Sequence, residues 1–373
     1  MKKDINKYNK AYKFRLSPNE QQIILLNKTF GSTRFVWNQI LSFCKKTYEE
    51  TKKTQFLQPS ILKKDYEWLK ESDSLAFANA RINLQKAYKG FFRKISGFPK
   101  FKSKKDTKES YTTNNQNGTI RIESKLIKIP KIGFINFIQH RQIKDDEKIK
   151  SATVSRDKTG KYFISIIVEG IRKIEKIIPN PDKIVGLDYS MTDLFKSNED
   201  EIANYPRYYR NNEIKLSKLN QSLHRKKKGG NNRSKIRVKL ASFHNKIRNL
   251  RNDFLHKLSC RVANKYDGVI VEDINLQHMS RCLNFGKSIH DNGFGMFREF
   301  LKYKLEDRGK YYGVIDKWFA SSKLCSECGT KNNNLKLSDK IYKCINAACN
   351  LIINRDLNAA INIKTVGTTG LVC

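Results

Sequence analysis

The chain is predicted to be an α+β multidomain protein, on three observations. A short alternating strand near the N-terminus is followed by two apolar-striped helical segments and then by strand-like runs up to residue 169. That order suggests a small β-barrel interrupted by a helical insert. Beyond Pro179-Asn-Pro181, short runs rich in Val, Ile and Gly alternate with long helical patterns, which reads as a second, mixed region. Within that region four cysteines fall in two close pairs, Cys325-x-x-Cys328 and Cys344-x4-Cys349, 15 residues apart. Four thiolates so spaced suit one tetrahedral Zn²⁺.

The elements follow in order. Residues 11–17 alternate and stop at Pro18. Asn19 is a natural N-cap, and from it Leu26, Phe30, Trp37, Leu41 and Cys44 recur on one helical face. A second helix carries Phe77, Ala80, Leu84, Ala87 and Phe91 on one stripe, with Lys86, Lys89 and Arg93 on another. The Gly/Pro/Lys/Asn-rich stretch 97–118 reads as a loop. Strands are expected at 119–123, 125–129, 134–138 and 161–169. After the linker come a buried strand at 184–188 and a helical hairpin over 211–263, broken at Gly229-Gly230. The second arm of the hairpin presents Ile236, Leu240, Phe243, Ile247, Leu250, Phe254 and Leu258. Strands at 268–272 and 312–316 flank a helix at 297–305, and a last helix is expected at 356–364. The expected domains are a barrel of residues 1–18 and 97–180, its helical insert 19–96, a core of 181–320 with 352–373, and a zinc ribbon at 321–351.

Charge narrows the partner. Lys and Arg number 74 against 36 Asp and Glu, a net +38 spread along all 373 residues. Solubility needs no such imbalance and a polyanion does, so nucleic acid outranks an anionic membrane or a merely basic surface. Aromatic residues at 11% argue against a disordered basic chain. No apolar run reaches the roughly 20 residues of a membrane span, and no signal-peptide core follows Met1. The cysteines suit a reducing compartment, with Cys44, Cys260, Cys282 and Cys373 scattered outside the cluster.

Three acidic residues stand where acids are expensive. Asp188 and Glu272 each end a β-prone apolar run, and Asp356 opens a helix otherwise built of Leu, Asn, Ala and Ile. Taken singly, a strand-terminal Asp is more often a turn cap. Carboxylates at the ends of neighbouring buried strands repel one another unless a cation lies between them, and two Mg²⁺ ions about 4 Å apart would answer that repulsion. Asp on the first strand, Glu on a later one and Asp on a late helix is the order found in RNase H-like nucleases. Asp193 and Asp273 are the ordinary alternatives, and strand alternation turns Asp273 away from the face of Glu272.

These segments resemble a known family. Gly186-Leu-Asp188-Tyr-Ser, Val271-Glu272-Asp273-Ile-Asn275, Ser321-Ser-Lys-Leu-Cys325-Ser-Glu-Cys328-Gly and Arg355-Asp356-Leu-Asn-Ala-Ala360 are similar to the RuvC motifs and zinc ribbon of TnpB, the transposon-encoded RNA-guided nuclease ancestral to type V CRISPR effectors. Ala11-Tyr-Lys-Phe-Arg-Leu-Ser-Pro18, Gly31-Ser-Thr-Arg-Phe-Val36, Gly97-Phe-Pro-Lys-Phe-Lys102 and Asp291-Asn-Gly-Phe-Gly-Met-Phe297 extend the resemblance along the chain.

The resemblance implies a wedge-like β-barrel with a helical recognition insert, then an RNase H-like (RuvC) domain with an inserted zinc ribbon. It implies that Asp188, Glu272 and Asp356 form the catalytic triad holding two Mg²⁺, and that Cys325, Cys328, Cys344 and Cys349 hold a structural zinc. The partners it implies are a transposon-encoded guide RNA (omega RNA) and double-stranded target DNA beside a short transposon-adjacent motif, in a prokaryotic cytoplasm at the nucleoid, with no membrane. Two departures stand out. The family commonly has Asp-Arg-Asp where this chain has Asn354-Arg355-Asp356, and Asn350 stands where glycine usually follows the last cysteine.

Basic and aromatic residues mark the expected nucleic-acid surfaces. Tyr12, Arg15 and Arg34 fall in the family-like blocks. Lys86, Lys89, Arg93, Lys100 and Lys102 form a candidate phosphate surface, and Asn79 and Gln85 on the same helix could read base edges. Arg225, Lys226, Lys227 and Lys228 cap the hairpin, where a solvated loop would look the same. Tyr205, Tyr208 and Tyr209 are expected to pack on the RuvC sheet. Two rivals to an RNA-guided endonuclease are a guide-directed DNA-binding repressor that no longer cuts, and a conventional transposase using the same acidic triad.

Overall fold

The computed structural model describes residues 6–105, 109–282, 285–336 and 338–369. Cys373 and the side chain of Cys282 lie outside them. The chain divides into two compact units, Met1–Lys173 and Ile174–Cys373.

The first unit contains β1 (Asn6–Ser17), α1 (Glu20–Thr51), α2 (Pro59–Asp65), α3 (Ser74–Phe92), β2 (Glu109–Asn114), β3 (Arg121–Glu123), β4 (Leu126–Ile129), β5 (Gly133–Ile138), β6 (Lys148–Arg156) and β7 (Tyr162–Arg172). The strands form one antiparallel sheet in the order β2-β6-β7-β1-β5-β4-β3. The expected barrel is thus a seven-stranded sheet with β2 and β3 at its two ends. Strand alternation sends Tyr12, Phe14 and Leu16 of β1 into one core with Ile164, Ile166 and Val168 of β7. Helix α1 starts at Asn19, whose side chain and that of Gln22 form a reciprocal capping box. Its first turns add Leu26 and Phe30 to the sheet core. Farther along, Val36, Trp37, Ile40, Leu41 and Cys44 build a second core with Phe77, Ala80 and Leu84 of α3.

The expected loop at 97–118 contains a strand, β2. Tyr111 and Thr113 of β2 point inward, and the Thr112 hydroxyl meets that of Thr153 on β6 at 2.8 Å. Strand β6 was not expected, because Lys, Ser and Thr dilute its apolar alternation.

The second unit contains β8 (Ile184–Ser190), β9 (Leu194–Ser197), α4 (Glu213–His224), α5 (Asn231–Lys265), β10 (Gly268–Glu272), α6 (Leu276–Cys282), α7 (Gly286–Asn292), α8 (Phe294–Glu306), β11 (Tyr311–Ile315), β12 (Ile341–Lys343), β13 (Ile352–Asn354) and α9 (Arg355–Thr368). Its main sheet runs β11-β10-β8-β9, with β10 parallel to both neighbours and β9 antiparallel. Parallel strands need cover on both faces. Val185, Leu187, Val269 and Val271 pack on one side against α5 and α8, through Leu255, Leu258, Phe294, Phe297 and Leu301. Ile184, Ile270 and Ile315 pack on the other side against Ile363 of α9. No helix of the described residues is long and apolar enough to cross a membrane.

Candidate active site

Sheet register assembles the site. In the parallel ladder Leu187 pairs with Val271, so one step farther brings Asp188 level with Glu272 on strands about 4.8 Å apart. Alternation puts both acids on the face shared by Ile184, Gly186 and Ile270, which is the face that α9 covers.

Gly186 sets how closely α9 lies. A Cβ there would fall 2.3 Å from the Ala360 carbonyl oxygen and 2.6 Å from the Lys364 nitrogen. At the other end of the helix, a Cβ on Gly367 would fall 2.4 Å from Ile270 Cγ2. Two missing side chains therefore let the helix backbone rest directly on β8 and β10, with Asp356 in its first turn.

Asn354 is the N-cap of α9. Its side-chain oxygen accepts the amides of Asp356 and Leu357 at 3.0 and 3.1 Å. An aspartate would cap the same way, so the departure at this position keeps the function that orients the following acid. Arg355 ties the same turn down through its guanidinium, which donates to the carbonyls of Lys336 and Asp339 at 3.2 and 3.1 Å.

Asp188, Glu272 and Asp356 are each half-buried. Burial first, and then the charges of Asp356 and Glu272, push the Asp188 carboxyl up to about 8 against the opposing pull of Arg355. Glu272 is raised by burial and by the charge of Asp273. Asp273 itself is exposed and pairs with Arg298 at 3.6 Å. Two acids on the sheet face and a third on the helix that covers it, all oxygen donors and one made reluctant to ionise by burial and by the others, fit a hard divalent cation.

The cysteines form a separate centre. All four sulfurs lie within 4.8 Å of one another. Cys325 and Cys349 are 3.7 Å apart and Cys328 and Cys344 are 3.5 Å apart. Tetrahedral zinc with bonds near 2.3 Å needs sulfurs about 3.8 Å apart, so the cluster is compatible with zinc. The first knuckle closes by a Gly329 amide on the Cys325 carbonyl at 3.0 Å, with Gly329 at φ +72°. The second ends at Asn350, φ +48°, where asparagine tolerates the left-handed turn that glycine usually makes. Hydrogen bonding to Thr330 pulls the Cys328 thiol down to about 6, while burial pushes the neighbouring Cys344 thiol up to about 12.

Two site residues were missed in the sequence. Asn358 and Asn362, one turn apart on α9, are buried and hold the cysteine module: Asn358 accepts the Ser326 amide at 3.0 Å, and both donate to the Leu324 carbonyl. Asparagine at i and i+4 in an alanine-rich helix was the available signal.

The candidate nucleic-acid residues divide. Tyr12 must be corrected: it is buried in the sheet core, and its hydroxyl donates to Glu147 at 2.9 Å. Its even-numbered place in β1 turns it inward, which a motif match does not reveal. Arg15, Lys86, Lys89, Arg93, Lys100 and Arg225 to Lys228 are exposed, and Arg34 and Gln85 are half-buried. Asn79 is also half-buried, with its amide on the Leu75 carbonyl at 2.9 Å. Lys102 is half-buried too, its Nζ lying 3.7 Å from the centroid of Trp37. Tyr205 is buried and donates to the Asp291 carbonyl at 2.6 Å, and Tyr208 packs edge-on against Phe254.

Known proteins resemble this chain. Residues 166–283 match the OrfB family of IS605, described as a probable transposase, and residues 294–363 match the Cas12f1-like TNB domain. Residues 8–53 match a helix-turn-helix family, although here they form β1 and one uninterrupted helix of 32 residues. A putative RNA-guided DNA endonuclease of Streptomyces pristinaespiralis is 31% identical over 98% of this chain and 90% of its own length. The putative RNA-guided DNA endonuclease InsQ of Escherichia coli is 28% identical over 97% of this chain and 93% of its own. In fold, the chain is similar to Cas12f1 from its complex with single-guide RNA and target DNA, with a TM-score of 0.54 at 13% identity, covering 96% of this chain and 99% of the other.

Proposed function

Because the chain belongs to the TnpB family of transposon-associated RNA-guided DNA endonucleases, we propose that it cuts double-stranded DNA at Asp188, Glu272 and Asp356 under the direction of a guide RNA. The observation that carries the reading is that Asp188 and Glu272 stand level on the face that α9 covers, with Asp356 in the first turn of that helix. Burial, and then the charges of Asp356 and Glu272, oppose the ionisation of Asp188 there.

The three carboxylates would hold two Mg²⁺ ions. Magnesium bound there would supply an activated water and neutralise charge on the phosphodiester. The part left to the protein is geometry. Glu272 and Asp188 stand level on paired strands, and the Asn354 cap with the Arg355 anchor fixes the turn that bears Asp356. The four cysteines would hold a structural zinc, separate from the reacting ions. The first unit, with its wedge-like sheet and helices, would bind the transposon-encoded omega RNA and read the adjacent motif. Base pairing would then choose the target, while basic residues such as Lys86, Lys89 and Arg93 met phosphate without reading sequence. The setting inferred is the nucleoid of a prokaryotic host.

The test is cleavage of a matched duplex by the protein purified with its own RNA. Asp188→Ala should abolish cutting and leave guided binding intact. Undiminished cutting by that variant would remove the mechanism.

A further inference from the structure

The turn after β11 exposes an indole that the fold does not use. The Phe319 amide donates to the Asp316 carbonyl at 3.1 Å, closing a β-turn with Lys317 and Trp318 at its centre. The Asp316 carboxylate accepts the Trp318 amide at 2.7 Å, bracing the turn from within. Phe319 packs against the cluster of Ile184, Ile270, Ile315 and Ile363 and so anchors the turn to the sheet. Trp318 is nevertheless 82% exposed, with Lys317 Nζ 5.0 Å from its ring centroid. A tryptophan left in water forgoes one of the largest apolar burials available to a side chain, so packing gives no reason for it here.

Position gives a reason. Ile315 is level with Glu272 in the parallel ladder, and the Asp273 amide reaches the Ile315 carbonyl at 3.1 Å. The turn therefore leaves the sheet at the level where Asp188 and Glu272 stand side by side. Three residues separate Trp318 from that level, at most about 10 Å of chain.

We infer that Trp318, with Lys317 beside it, is a stacking platform for one base of the DNA strand delivered to the carboxylates. The inference rests on the nuclease reading above. Every base has a π-face, so such a platform positions a strand without choosing its sequence, which suits a protein whose target is chosen by a guide. Lys317 supplies the neighbouring charge for a phosphate.

The experiment uses the full-length protein with its copurifying guide RNA, a matched duplex for cleavage, and a single-stranded oligonucleotide carrying 2-aminopurine as the binding probe. Trp318→Ala should melt with the wild type, raise KM about 10-fold with little change in kcat, and lose the 2-aminopurine quench. Trp318→Phe should recover most of both. Wild-type KM and quench in Trp318→Ala would overturn the platform and leave the indole to a protein partner. Equal loss in Trp318→Ala and Trp318→Phe would overturn stacking as its basis. If Trp318→Ala is silent while Asp188→Ala no longer cuts, the platform alone falls; if Asp188→Ala still cuts, the nuclease reading falls instead.

Discussion

Asn358 and Ser326 are joined by a 3.0 Å hydrogen bond, the Ser326 amide donating to the side-chain oxygen of an asparagine two residues after Asp356 on the same helix. The same side chain donates to the Leu324 carbonyl at 2.7 Å, and Asn362 donates to Ser321 and Leu324 at 2.8 Å each. One helix thus supplies an acid to the candidate active site at its first turn and fastens the first cysteine pair at its second and third. The cysteine module and the carboxylates are separate centres sharing one support.

Removing that fastening should loosen both. Asn358→Ala leaves the Ser326 amide and the Leu324 carbonyl short of a buried partner, at a cost of about 1–3 kcal/mol. The expected outcome is a lower melting temperature together with faster zinc release to a chromogenic chelator. Unchanged zinc release would show that the cysteines hold the module without help from α9.

Gly186→Ala should be severe. The new Cβ meets backbone atoms at 2.3 and 2.6 Å, which cannot swing aside as a flexible side chain would. Lifting α9 should cost about 3 kcal/mol or more and carry Asp356 away from Asp188. Denaturant midpoint and cleavage rate measured on the same preparation check this, and a mild loss of stability with full activity would contradict it.

Asn354 allows a graded test. Asn354→Ala removes an N-cap and should cost about 1 kcal/mol by thermal melting. Asn354→Asp keeps the cap and should melt within a few tenths of a kcal/mol of the wild type, with cleavage no lower. A large drop in cleavage by the Asp variant would mean that the amide has a role beyond capping.

Stability should depend on pH through Asp188. Its folded value is raised to about 8, first by burial and then by Asp356 and Glu272. An acid raised on folding stabilises fully below its unfolded value, near 4, and that contribution is lost as pH climbs through about 8. Metal-free wild type should therefore lose melting temperature between about pH 4 and pH 8 more steeply than Asp188→Asn. Millimolar Mg²⁺ should restore the wild type at pH 8 and leave the variant unmoved. Parallel slopes in the two proteins would refute the coupling.

Much of the candidate site was legible along the chain because its signals are local. Asp188 and Glu272 stood out as acids ending β-prone runs, and the cysteine spacing announced a cluster of four thiols. The helix from Asn19 was legible for the same reason, through a cap and a 3.6-residue stripe. What failed was whatever depended on partners. Leu250 fits the stripe of α5 by spacing yet is exposed, about 140° round the helix from buried Leu255 at roughly 100° per residue. The sheet and α8 chose the arc that faces inward. Strand β6 was hidden because half-polar alternation becomes a strand only when β2 and β7 pair with it. Tyr12 looked like a contact and proved to be core, since which face of β1 is buried is settled by the sheet.

By itself, the sequence determined the family and most of the helices and strands, and it marked the candidate acids and thiols and the charge suited to a polyanion, all of which follow from residue type and short spacing. Only the tertiary structure decided that Asp188 stands level with Glu272, that α9 lies against Gly186, and that Asn358 ties the cysteine module to the helix of Asp356. Those relations join residues far apart in the chain, and they come from parallel register and close packing, neither of which a local pattern encodes.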